Sequence, residues 1–311
     1  MHREVVGCLR CPVCRGALGT GAGALRCRAG HSFDIARQGY VDLTAGRLTH
    51  AGDTTEMVYA RESALAAGHF DFITSAVVAA LSAYSQGLAV EVGAGTAFHL
   101  AALLDAVPGL WGLALDVSKP ALRRAARRHP RLAAVRADAW RPLPIADGCA
   151  TAVLNVFAPR AAAEFHRILR PDGALVTVTP EPAHLAELVD ALGLLAVDPA
   201  KEGRLAGALE PYFTLAERAS HTRRLALTRE QARALVAMGP SAWHVDPAAL
   251  GAGLADLPTP IEVRASVLVS VWHPDPPAYP PVDPEHRLGV GVRGRSGIDL
   301  RDGSGPNPVA A

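Results

Sequence analysis

Residues 88–103, L-A-V-E-V-G-A-G-T-A-F-H-L-A-A-L, constrain this chain more than any other stretch. An apolar segment reaches Glu91, and a tight turn containing Gly93 and Gly95 then runs straight into a helical segment. Strand, glycine turn and helix in that order open a parallel, doubly wound α/β sheet. The turn exposes backbone N–H groups and a carboxylate at the carboxyl edge of the sheet, where such folds hold their ligands.

The neighbouring segments narrow the ligand. Residues 110–115 are apolar and end at Asp116, 21 residues beyond Gly95. A carboxylate there accepts hydrogen bonds from both hydroxyls of a ribose. Nicotinamide enzymes share that device, but their G-x-G-x-x-G fingerprint wants a third glycine, and position 98 is Phe. Residues 132–137 form a third strand, followed by Asp138-Ala139-Trp140. A carboxylate at this point can accept from an adenine N6 amino group, although an aspartate also caps turns. An acidic residue ahead of G-x-G, as Glu91 is, suits the methionine end of S-adenosylmethionine. The candidate cofactor contacts are therefore Glu91, Gly93, Gly95, Thr96, Asp116, Asp138 and Ala139. The expected fold class is α/β, a class I methyltransferase Rossmann-like sheet with a small N-terminal zinc-binding module.

A turn at Asp147-Gly148 introduces a buried strand, 150–156, whose carboxyl end presents Asn155, Phe157 and Pro159. A methyl acceptor would meet the sulfonium here. The Asn155 amide can bond a base edge and the Phe157 ring can stack on it, so these two are the candidate catalytic residues; a plain structural turn is the alternative. Beyond it the pattern gives a helix over 161–169, a turn at R-P-D-G, a strand over 174–179 and a helix over 183–192 with His184 toward the cleft. A strand over 213–227, a helix over 229–238, a loop carrying Trp243 and His244, and a strand over 261–272 complete the unit. From 274 to 311, Pro and Gly with little apolar content describe a flexible tail.

Four of the five cysteines fall in the first 27 residues. Cys11 and Cys14 make a C-x2-C pair, Cys27 and His31 a C-x3-H pair, and the glycine-rich residues between them can turn a hairpin that joins the pairs. Three thiolates and an imidazole match tetrahedral structural zinc. So small a module lacks an adequate apolar core, and a metal would supply much of its folding energy. Cys8 offers a competing C-x2-C pair with Cys11, but reads as a small packed thiol, as does Cys149. The expected organisation is a zinc module over 1–45, a helical linker over 46–86, a catalytic domain over 87–273 and the tail. The linker helices, 58–84, can roof the cofactor site through Arg61 and His69 or simply cover the edge of the sheet.

Charge excludes little. The formal net charge is +1, so no strong overall field draws the molecule to nucleic acid. All but Lys119 and Lys201 of its 31 basic residues are arginine, a coding bias more than a binding signal. Arg123, Arg124, Arg127, Arg128 and Arg131 nevertheless follow one another closely enough to form a basic helix face, solvated or phosphate-binding. The apolar runs are too short or too interrupted to span a bilayer, and no basic-then-apolar leader opens the chain, which predicts a cytoplasmic protein without membrane contact.

Together these segments resemble the bacterial 23S rRNA (guanine-N1)-methyltransferases, in particular the tylosin-resistance type of actinomycetes. The resemblance covers about residues 8–273. It rests on C-P-V-C…C-R-A-G-H-S-F-D-I-A-R-Q-G-Y-V-D-L, D-T-T-E-M-V-Y-A-R, A-G-H-F, V-E-V-G-A-G-T, L-D-V-S-K-P-A, N-V-F-A-P-R, L-R-P-D-G and M-G-P-S-A-W-H, in that order. It implies that the zinc module recognises an rRNA hairpin in domain II, lining the peptide exit tunnel. The second domain would then methylate N1 of a guanine with S-adenosylmethionine, and a homodimer would hold the RNA. Ala97 stands where a third glycine is often seen, a substitution that would crowd the methionine pocket. Two other functions fit the motifs less fully: a class I methyltransferase acting on a small molecule, and a catalytically inactive rRNA-binding protein.

Overall fold

The computed structural model describes residues 1–276 apart from Ala45, Thr49 and Pro199. The chain begins with helix α1 (Arg3–Cys8) and a small antiparallel sheet of β1 (Leu18–Gly21), β2 (Ala24–Cys27) and β3 (Ser32–Asp34). Strand β4 (Val41–Asp42) then leaves this module and pairs in parallel with β7 at the edge of the main sheet, Val41 opposite Val135.

Two roof helices follow, α2 (Thr55–Ala66) and α3 (Asp71–Leu81). Thr54 starts α2 by accepting from Met57 N–H at 3.3 Å, and left-handed Gly68 (φ 75°) breaks the chain between them. The alternating core comes next: β5 (Gly87–Val92), α4 (Phe98–Ala106), β6 (Leu110–Asp116), α5 (Lys119–Ala125), β7 (Leu132–Arg136) and β8 (Ala150–Val156). Every residue of β8 is buried, as a strand covered on both faces requires. Helix α6 (Ala162–Ile168), β9 (Leu169–Pro180), α7 (Ala186–Leu192), α8 (Lys201–Leu209), β10 (Phe213–Leu227), α9 (Arg229–Ala237), α10 (Pro247–Ala255) and β11 (Ile261–Pro274) finish the unit.

The main sheet has the order β10-β11-β9-β8-β5-β6-β7-β4, with β11 antiparallel to both of its neighbours. Strand order reverses between β5 and β8, the crevice where open α/β sheets bind ligands. The expected α/β methyltransferase-type sheet is therefore the one observed. Two local readings are corrected. R-P-D-G does not turn the chain but lies within β9, whose register against β8 shifts between Ala150 and Ala152. The helix expected from 183 begins at Ala186, because residues 181–185 turn back to bond β11.

Residues 1–275 form one compact unit. On one face of the sheet Val5, Leu9, Leu25 and Leu43 of the N-terminal module share a buried cluster with Val90, Leu113, Val135 and Val153. On the other, Ile73, Val77, Leu100 and Leu104 pack with Ala89, Ala114 and Val176. A disulfide joins Cys8 to Cys149 across 141 residues, with Cα atoms 5.9 Å apart. This corrects the reading of both as separate thiols. A bridge between Leu9 and Ile145, and the bond from Ala146 N–H to the Cys8 carbonyl, bring the two segments into register. No single helix among the described residues is long and apolar enough to cross a membrane. The expected tail lies, beyond Pro276, outside the described residues.

Candidate functional site

The carboxyl ends of β5, β6, β7 and β8 converge on one cleft. Its floor is the turn after β5, where Gly93 (φ 72°), Gly95 (φ 54°) and Ala97 (φ 57°) all adopt left-handed backbone. A Cβ on Gly93 would stand 2.4 Å from that of Ala158, so the loop after β8 closes against this position and admits only glycine. Ala97 is fully buried in a left-handed conformation that glycine would take without strain.

Asp116 ties the turn to the second strand. Its Oδ2 accepts from Gly95 N–H at 2.8 Å and its Oδ1 from Ser118 N–H at 2.7 Å. Burial raises its pKa, and these two bonds partly oppose the shift. Glu91 does not open into the cleft in the same way: 2 % exposed, it accepts from Leu100 N–H at 3.3 Å at the start of α4. Burial pushes its carboxyl up to about 8.

Asp138 accepts from Trp140 N–H at 3.0 Å through Oδ1, while its buried Oδ2 has no hydrogen-bond partner; Arg141 Nε stands 3.7 Å from it. Thr96 Oγ1 is likewise buried and unbonded. Ala139 is half-buried and Trp140 is 60 % exposed at the rim. These orphaned oxygens fit the cofactor, since a buried acceptor without a donor is costly until a ligand supplies one.

At the end of β8, Asn155 is fully buried and spends its amide on the Pro159 carbonyl (2.8 Å) and the Val92 carbonyl (3.4 Å); its Oδ1 has no partner. Phe157 is 46 % exposed and left-handed (φ 51°), a conformation that costs a non-glycine residue energy and is kept where surroundings demand it. Its ring centroid lies 5.7 Å from that of His184.

The roof is contributed by the connector and α2. Arg61 pairs with Asp53 (2.8 Å), donates to the Met238 carbonyl and places its Cδ 3.5 Å from where a Cβ on Gly95 would be. Ser118 Oγ donates to the Asp53 carbonyl at 2.7 Å. Arg61 thus lies over the glycine turn. Asp53 and Ser118 escaped sequence reasoning, although both lie within the motifs D-T-T-E-M-V-Y-A-R and L-D-V-S-K-P-A. His69 Nε2 is buried without a partner, and His244 is exposed.

In the N-terminal module, Cys11, Cys14, Cys27 and His31 bring their ligand atoms within 4.8 Å of one another. Cys14 and Cys27 Sγ are 3.6 Å apart, and His31 Nδ1 lies 3.6 Å from Cys11 Sγ and 3.3 Å from Cys27 Sγ. A tetrahedron with Zn–S bonds of about 2.3 Å has edges of about 3.8 Å, so the set fits zinc. Two turns build it: Arg15 N–H bonds the Cys11 carbonyl and Gly30 N–H the Cys27 carbonyl. Cys8, held by Cys149, is excluded from the set.

A separate groove of about 690 Å³ runs between this module and α5, lined by Arg37, Arg123, Arg124, Arg127, Arg128 and Glu62, among others. Glu62 pairs with Arg124 and Arg128. Arg131, expected on the same face, instead donates to the carbonyls of Val107, Pro108 and Leu110 and serves the fold.

Two segments of the chain match family models. Residues 9–44 match the zinc-ribbon family model described as RlmA, N-terminal, and residues 89–173 match the methyltransferase domain model. A Micromonospora griseorubida protein, assigned by name to the 23S rRNA (guanine-N(1)-)-methyltransferases, is 52% identical over 88% of this chain and its own whole length. The 23S rRNA (guanine(748)-N(1))-methyltransferase of Streptomyces fradiae is 47% identical over 89% of this chain and all of its own. Among solved structures, a SAM-dependent methyltransferase of Geobacter sulfurreducens with S-adenosyl-L-homocysteine is 16% identical. That match covers 65% of this chain and 90% of the other, with a TM-score of 0.43.

Proposed function

This chain belongs to the 23S rRNA (guanine-N1)-methyltransferases, and from that premise we propose how its residues methylate N1 of a guanine with S-adenosylmethionine. One observation carries the assignment of roles. Three buried oxygens without hydrogen-bond partners, on Thr96, Asp138 and Asn155, lie at or just beyond the carboxyl ends of β5, β7 and β8, and the exposed ring of Phe157 follows β8 on a left-handed backbone.

S-Adenosylmethionine supplies an activated methyl on a sulfonium. Asp116 would accept from its ribose hydroxyls and Asp138 from its adenine amino group, with Ala139 beside the adenine. Gly93, Gly95 and Thr96 would line the methionine end, and Glu91 would hold the start of α4 beneath it. Arg61, lying over the glycine turn in an otherwise acidic cleft, is placed to take the methionine carboxylate. Phe157 would stack on the flipped guanine, and Asn155 would fix the loop that carries Phe157 through its bond to Pro159. Positioning donor and acceptor in line accounts for much of the rate.

Zinc bound by Cys11, Cys14, Cys27 and His31 would be structural, because three thiolates and an imidazole fill its tetrahedron. For the RNA, Arg37, Arg123 and Arg127 form no ion pair within the described residues and can meet phosphates along the basic groove. The near-full-length likeness to the Streptomyces fradiae enzyme supports the equivalent guanine as the target; the family resemblance of the motifs adds a domain II hairpin at the peptide exit tunnel and macrolide resistance as the outcome. A cytoplasmic homodimer completes the reading; sedimentation of the protein with and without RNA tests the dimer.

The test is methylation of deproteinised 23S rRNA with labelled S-adenosylmethionine, followed by primer extension. A methyl on N1 blocks the pairing edge, so reverse transcriptase stops one nucleotide before a single guanine. Labelling of small molecules but of no guanine would overturn the assignment.

A further inference from the structure

Guanine N1 carries a proton and is a poor nucleophile until it is lost, so the reaction needs an acceptor for that proton. The histidine beside Phe157 is held as such a group would be. His184 lies in the turn that follows β9, and β9 neighbours β8 in the sheet, so its ring and Phe157 emerge side by side at the carboxyl edge. Its Nδ1 stands 3.0 Å from the carbonyl of Ser266 on β11. A proton on Nδ1 donated to that carbonyl leaves Nε2 with a free lone pair, since the partner of one ring nitrogen sets the state of the other.

The backbone is strained at the residue after it and at its ring neighbour Phe157. Leu185, which follows His184, is left-handed (φ 57°) and donates its N–H to the Arg264 carbonyl at 2.7 Å. With Phe157 and Ala97 it makes three of the five non-glycine residues of positive φ among those described, all three around this cleft.

We propose that His184 is the catalytic base that removes the N1 proton of the target guanine. This rests on the guanine-N1 reading above. The guanine N1–H bond breaks and its proton passes to His184 Nε2. The N1 electron pair forms the bond to the methyl carbon, and the carbon–sulfur bond breaks with its pair remaining on sulfur. The imidazolium then returns its proton to water.

The groups that face the ring suit this cycle. Phe157 and Phe70 flank it, with Phe70 at 6.4 Å from the roof, and Ser266 meets it from β11. Glu181, in its own turn, is the charged group whose field reaches it; Glu181 accepts from Ser220 and Ser266 hydroxyls and favours the imidazolium once formed. Burial lowers the His184 pKa more than Glu181 and Ser266 restore it, so the ring is neutral and able to accept at neutral pH.

The experiment uses the full chain with His184→Asn and His184→Gln. Single-turnover methylation of 23S rRNA should fall by roughly 10²–10⁴-fold, while S-adenosylhomocysteine binding, read by calorimetry, stays within about twofold. The wild-type rate should level off above the His184 titration, whereas the variants' rates should keep rising with pH as the guanine ionises unaided. In the wild-type protein, nitrogen NMR of the imidazole should show the Nδ1–H tautomer. Ser266 N–H also lies 3.2 Å from Nδ1 and would hold the opposite tautomer, so a proton found on Nε2 overturns the proposal. So does a variant that keeps the wild-type rate and pH profile. If the wild type binds S-adenosylhomocysteine but methylates no guanine, the guanine-N1 reading fails instead.

Discussion

Asp116 and Glu91 are carboxyls at the ends of adjacent strands, and their surroundings separate them. Asp116 is held by two backbone N–H groups at the mouth of the cleft, while Glu91 is sealed beneath it with one. Because burial lifts Glu91 from its ordinary 4.5 to about 8, the native chain keeps a proton that the unfolded chain releases. The stability it contributes is present in full below 4.5 and is lost as pH rises through about 8. Glu91→Gln should therefore flatten the fall in melting temperature across that window, as a thermal-shift series in pH would show. Arg61 admits a sharper test, because 5′-methylthioadenosine lacks the carboxylate that Arg61 is assigned to hold. Arg61→Ala should weaken S-adenosylhomocysteine binding by about tenfold or more and leave methylthioadenosine affinity unchanged; charge-assisted bonds contribute about 1.5–3 kcal/mol. Equal losses for both ligands would remove Arg61 from the carboxylate site. Asp116 and Asp138 could be read directly from the sequence, since strand length alone places them at the edge of the sheet. The Arg61 contact to Gly95 and the His184 contact to Phe157 could not, because each joins segments whose approach is set by the packed fold.

At the scale of elements, the alternating strands and helices from β5 to β8 follow from apolar runs ended by turn residues, and the roof helices from the capping Thr54 and the break at Gly68. Helices α8 and α10 carry no signal strong enough to single out beforehand: α8 has mostly exposed or half-buried residues, and α10 is rich in Ala and Gly. The R-P-D-G segment misleads because Pro and Gly usually mark turns, whereas here the start of β9, where its pairing with β8 slips, accommodates them. The Cys8–Cys149 link was illegible for a different reason: its partners are 141 residues apart, and the nearby Cys11 offers Cys8 a competing C-x2-C pair by spacing. Closing so long a loop restricts the unfolded chain, and such links typically contribute about 2–4 kcal/mol. Cys8→Ser should lower stability in denaturant titrations without reductant, and adding reductant should lower the wild type to the same level while leaving the variant unmoved.

Across the whole molecule, the N-terminal module and the catalytic sheet are one body in the core even though the sequence divides them at the connector. Leu9, Leu25 and Leu43 pack into the same cluster as Leu113 and Val135, and β4 is hydrogen-bonded along β7. Removing zinc with a chelator should therefore lower the melting temperature of the catalytic sheet as well as unfold the ribbon; an unchanged main transition would show the two to be independent. The basic groove spans the same junction, so under the proposed function its arginines would meet RNA held by both parts. Arg123→Ala with Arg127→Ala should weaken 23S rRNA binding and reduce the salt slope by about one to two, leaving S-adenosylhomocysteine affinity intact. The parallel pairing of Val41 and Asp42 with Val135 and Arg136, strengthened by the 2.9 Å ion pair from Arg136 to Asp42, also limits how target choice can be re-engineered. A graft that exchanged residues 1–40 alone would sever the ribbon from its own rail in the sheet. Retargeting by fusion should succeed only when the donor ribbon travels with that rail and the host residues it rides on, so that new sequence preference and correct aim at the methyl group are inherited together.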